Sequence, residues 1–154
     1  MELVVGVNSY VSVEEADAYV AETYLPSEAE ALVWEQCSPR DKEILLLRAM
    51  KAIEALPFVG RRTSVHQSLS FPRYPDTHVP EAVEAAQVEE AVALASPDYA
   101  EILASKREMR NRGVTSYRLG KLSETFAGQD ALQELSPVAA QLLRRYVCGG
   151  YDIR

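Results

Sequence analysis

The stretch Ser38-Pro39-Arg40-Asp41-Lys42-Glu43-Ile44-Leu45-Leu46-Leu47-Arg48-Ala49-Met50-Lys51-Ala52-Ile53-Glu54 decides the fold class. A serine directly before a proline is the preferred order at a helix start. The serine oxygen takes a first-turn amide, and the proline gives up an N–H that would have no partner there. Ile44, Leu45, Leu47, Met50 and Ile53 then recur at helical spacing, and Leu56-Pro57 closes the run. Lys51 and Glu54 are assigned to the solvated face.

The same signals recur on both sides. Ser12-Val-Glu-Glu15 is a capping box, followed by Val13, Ala16, Tyr19, Val20 and Tyr24 at helical spacing and stopped by Pro26. A short helix from Ser27 to about Gln36 offers Ala31, Leu32 and Trp34 for burial. Pro80 opens a fourth, alanine-rich helix that runs to Ser96-Pro97. Ser136-Pro137 starts the last, with Val138, Ala139, Leu142, Leu143 and Tyr146 inward, until Cys148-Gly149-Gly150.

Between these lie less regular parts. Residues 1–11 are β-branched and short, which predicts an extended arm or edge strand. Residues 57–80 hold four prolines after Leu56 besides Gly60, yet Phe58, Leu69, Phe71 and Tyr74 supply anchors, so an ordered loop is expected. Asp98–Arg112 reads either as a continuation helix or as a mobile excursion. Tyr117–Phe126 has a strand-like pattern broken at Leu119-Gly120. The expected architecture is mainly α. It is a single domain over 1–154, a small bundle of about four to five helices, with a long proline-rich loop and a short β-hairpin-like excursion within 97–130. A final helix at 136–147 and a tail at 148–154 complete it.

The chain has 154 residues, 47% hydrophobic and 25% charged, enough for a core and too apolar for general disorder. No apolar run reaches the roughly 18 residues of a membrane span, and no secretory pattern stands at the start, which predicts a soluble intracellular protein. Cys37 and Cys148 are isolated and read as reduced thiols. The net charge of −7 is unevenly placed: residues 1–39 hold eight acids and no Lys or Arg.

No phosphate-binding glycine loop, zinc-binding HExxH or nucleophile elbow is present. His66 and His78 stand in the proline-rich loop without an acid placed to orient them, so a hydrolase using His66 is the weakest reading. No catalysis and no cofactor are expected. Three clusters are candidate partner surfaces. Arg61 and Arg62, with Gln67, Phe71 and Arg73, offer guanidinium forks for carboxylates or phosphates. The alternative for the Arg pair is capture of carbonyls at the end of the third helix. Lys106, Arg107, Arg110 and Arg112 form the most basic run. Tyr117, Leu119, Lys121, Leu122 and Phe126 form a strand-like edge for another chain.

The chain also resembles a known family. Asn8-Ser-Tyr-Val-Ser-Val-Glu-Glu-Ala-Asp-Ala-Tyr19, the helix at Glu43–Leu56, Phe58-Val-Gly-Arg-Arg62, Gln67-Ser-Leu-Ser-Phe-Pro-Arg73, Val79-Pro80 and Arg118–Ser123 follow in order. They look like small tailed-phage head–tail connectors or adaptors, many of them labelled DnaT-like. Phe71 stands where tryptophan is commoner in that family. The resemblance implies a helical, non-catalytic subunit that assembles with itself as a ring below the portal protein and receives the next head-completion or tail protein. Its place would be the host cytoplasm and then the virion neck, with no membrane. Double-stranded DNA would pass the channel without specific contact. The label implies the alternative, a single-stranded DNA-binding replication module using the basic run on phosphates with Tyr99 or Tyr117 stacking.

Overall fold

Helix α4 (Glu81–Ala95) is the member around which the others assemble, and a computed structural model describes residues 2–112 and 131–148 of the chain. The other elements are α1 (Val13–Thr23), α2 (Ala29–Glu35), α3 (Pro39–Glu54), α5 (Pro97–Arg112) and α6 (Pro137–Leu143), which tightens into a 3₁₀ turn at Arg144–Tyr146. α4 packs against α1, α2, α3, α5 and α6. It is apolar on most sides, as a helix enclosed by neighbours must be. Val83, Ala86, Val88, Ala91 and Val92 join Leu46, Ala49, Ile53, Ala139 and Leu143 in one core. Its alanines let α3 and α6 come close.

Local chemistry sets the helix starts. The Ser12 and Ser38 hydroxyls accept the Glu15 and Asp41 amides, while both acids reach back to the serine amides. Ser136 caps α6 through the Ala139 amide. Pro97 opens α5, a continuous 16-residue helix, so the first half of the expected excursion is helical and the bundle has six α-helices among the described residues. For Lys106, Arg107, Arg110 and Arg112 only the helix backbone is described. The expected hairpin, with Tyr117, Leu119, Lys121, Leu122 and Phe126, lies outside the described residues. Among the described residues there is no strand, only isolated bridges at Val5–Ser9, Phe58–Val147 and Arg62–Arg73.

The N-terminal arm is a correction. Residues 4–9 fold into a turn instead of extending: the Gly6 amide donates to Ser9 O at 2.8 Å, and the Val4 amide to Asn8 Oδ1 at 2.7 Å. Gly6 takes φ 86°, which costs a side-chain-bearing residue but not glycine. The Asn8 amide also donates to Glu2 O, closing the turn from its side. Behind it Ser9, Tyr10 and Val11 are buried.

Leu32 and Val138, expected inward, are about half exposed, while Trp34 is buried with its indole N–H on Asp17 at 2.9 Å. Glu54 is the larger change. It leaves the solvated face because the proline-rich loop folds back over the end of α3 and meets it.

Candidate functional site

The 57–80 loop is held by chemistry that its sequence states only in part. Phe71, 3% exposed, inserts between Tyr10, Phe58 and Tyr146, with edge-on ring centroids at 6.2, 4.7 and 5.5 Å. Glu54 Oε1 accepts the Ser70 amide and hydroxyl, and Oε2 accepts the Tyr10 phenol at 2.7 Å. Burial, then the Glu54 carboxylate, drives the Tyr10 pKa far above its usual value. Arg73 donates to the carbonyls of Phe58, Val59, Gly60 and Ser70. Gln67 donates to Leu69 O and Pro72 O. Arg73, not the Arg61–Arg62 pair, therefore captures the carbonyls that follow α3. Phe71, Gln67 and Arg73 spend their described contacts within the subunit.

That scaffold presents the remaining two candidates. Arg61 and Arg62 are exposed, and the Arg61 guanidinium lies 4.4 Å from the centroid of the exposed Tyr74 ring. The end of α6 stands beside them, a neighbour that no local pattern encodes. The Val59 amide donates to Tyr146 O at 2.9 Å, and the Cys148 amide to Pro57 O at 2.7 Å. These bonds bring the end of α6 alongside the loop, with Arg144 and Arg145 exposed and Arg145 over the Tyr146 ring at 5.4 Å. Residues 57–80 contain three arginines and one acid, and residues 136–148 two arginines and no acid. The loop segment at 57–62 and the end of α6 thus lie side by side, carrying four exposed guanidiniums and, beside Arg61, the exposed Tyr74 ring. Charge and ring planes of this kind suit phosphates and bases.

The first two helices are acidic. α1 and α2 carry most of the eight acids of residues 1–39. Burial and the neighbouring Glu15 and Glu81 push the Glu84 carboxyl up. Lys42 reaches Asp17 at 2.9 Å and lies over the Trp34 ring. Glu89, on buried α4, accepts the phenols of Tyr19 at 2.7 Å and Tyr24 at 2.5 Å. Burial and that carboxylate push Tyr19 up to about 12 and Tyr24 further. Glu90, 1% exposed, accepts the Ser136 amide at the start of α6 at 2.7 Å. Tyr99 turns its hydroxyl toward Glu90 and is half-buried.

Among the described residues no helix is long and apolar enough to cross a membrane. No curated protein and no solved structure matches the chain. A family comparison matches residues 2–154: the chain belongs to the family described as "Putative DnaT-like ssDNA binding protein".

Proposed function

We propose that the protein binds single-stranded DNA on the face formed by Arg61, Arg62, Tyr74, Arg144 and Arg145. The Arg61 guanidinium stacked on exposed Tyr74 carries this reading, because it pairs a phosphate partner with a ring on which a base can lie. The family description supports it. Phosphates would meet the guanidiniums, and the sequence tolerance of stacking would make binding non-specific. With a net charge of −7 the chain as a whole does not attract nucleic acid, so the reading rests on a local basic face. Anisotropy of a labelled oligonucleotide, titrated at several salt concentrations, tests it. Affinity should fall steeply with salt, and each phosphate contact removed by Arg61→Ala, Arg62→Ala, Arg144→Ala or Arg145→Ala should flatten the logarithmic slope by about 0.7. No binding at low salt, or a slope untouched by all four changes, overturns it.

A second reading is a structural connector subunit of a phage particle that joins copies of itself. The division between an acidic flank and an arginine-bearing loop favours it, since unlike faces associate in rings or rows. Electron microscopy of the purified protein, alone and with a portal protein, tests it: closed rings support the reading, and dispersed single subunits in both samples oppose it.

A further inference from the structure

The turn at residues 64–67 is a stiff knob. Ser64 N–H donates to Gln67 Oε1 at 3.0 Å and His66 N–H to Ser64 Oγ at 3.1 Å, while Gln67 ties the turn to Leu69 and Pro72. At its tip Val65 is 90% exposed, the most exposed large apolar side chain among the described residues. Val65 follows Arg61 and Arg62 by four and three residues, so the loop offers an apolar tip together with nearby cations.

A groove of about 360 Å³ has the complementary chemistry. It lies where α2, α4 and the start of α6 meet, with Val33, Val92 and Val138 as apolar walls, Tyr24 at the side, and Glu30 and Glu89 as its charges. Among the described residues no lysine or arginine lines it. Val138 at its edge is 48% exposed.

Within one molecule the knob does not fill the groove: Val65 is 90% exposed and lies outside the groove's lining. The groove takes in Val138 at the start of α6, whereas the loop is bonded to Tyr146 at the other end. Eight residues of helix separate them, roughly 12 Å at about 1.5 Å per residue. We infer that the Arg61–His66 knob of one copy seats Val65 in the α2–α4–α6 groove of a second copy, with Arg61 and Arg62 facing Glu30 and the acidic flank. This rests on the assembly reading and supplies its two faces. The contact is head to tail, so each copy keeps one knob and one groove for further copies.

Light scattering after size exclusion, over a range of concentrations, tests it with Val65→Asp, which spoils the knob, and Val138→Lys, which spoils the groove. Both positions are exposed, so folding is kept, and an unchanged circular dichroism spectrum checks it. The wild type should gain mass with concentration. Each variant alone should associate about tenfold more weakly or not at all. An equimolar mixture should form dimers and nothing larger, because only one intact knob and one intact groove remain per pair. Wild-type association that persists in both variants overturns the inference and leaves the assembly reading standing. Variants that stay monomeric when mixed overturn the head-to-tail pairing. A wild type that is monomeric at every concentration overturns both.

Discussion

Glu54 Oε1 accepts two hydrogen bonds from Ser70, one from its amide and one from its hydroxyl, each at 3.0 Å. With the Tyr10 phenol on the other oxygen, one carboxylate joins α3, the N-terminal segment and the proline-rich loop. Glu54→Ala leaves three donors without that acceptor and should cost about 2–4 kcal/mol. Glu54→Gln keeps an acceptor and should cost less. Urea unfolding with an unchanged slope measures both, and a loss below about 0.5 kcal/mol for the alanine variant would contradict the clamp.

Gln87 is fully buried and spends both ends of its amide. It accepts the Tyr10 N–H at 2.9 Å and donates to Ser9 Oγ and Leu46 O at 2.8 and 3.1 Å. Gln87→Leu has the right size and more apolar surface, yet it strands the buried Tyr10 N–H and removes the bonds to Ser9 Oγ and Leu46 O. Stability should fall by about 2–4 kcal/mol, visible as a lower melting temperature; a rise would show that burial outweighs the hydrogen bonds.

Arg73→Lys keeps the charge and loses the planar fork that serves four carbonyls. The expected result is faster cleavage by a protease within residues 57–80, with the helical circular dichroism signal preserved. Equal cleavage rates for wild type and variant would remove Arg73 from its role in ordering the loop.

Tyr19 and Tyr24 share Glu89, and burial is the first cause of their raised pKa values. The unfolded chain gives up a phenol proton near pH 10, before the folded chain does. The neutral phenols therefore favour the fold fully below about pH 10, and that contribution drains away as pH rises through the folded values, near 12 for Tyr19. Absorbance of phenolate at 295 nm should show these tyrosines titrating late. Changing both to Phe should remove their late steps from the titration. Ordinary titration of both in the folded wild type would contradict the shared carboxylate.

The helix starts were legible because their chemistry is local: Ser12 with Glu15, Ser38 with Pro39 and Asp41, and Ser136 with Pro137 each lie within one turn. Glu54, Gln87, Glu89 and Glu90 were not legible. Their partners stand between 9 and 78 residues away, and a polar residue in a helix carries no local sign of a distant donor. Arg61 and Arg62 could be singled out as a pair, but Arg144 and Arg145 could not be joined to them. The join is made by backbone bonds at Val59 and Cys148, which no side-chain pattern encodes. Gly6 and Asn8 were the overlooked signs that the first residues turn.

The Gln87 amide also sets an order of events. Its partners Ser9 and Tyr10 precede it by 78 and 77 residues, and Leu46 by 41. The surface that receives the N-terminal segment exists only once α3 and α4 have met, and closing the longer loop comes at greater entropic cost. Ser9 and Tyr10 should thus dock after α3 and α4 have packed. Weakening their contacts should quicken unfolding while leaving the folding rate nearly unchanged.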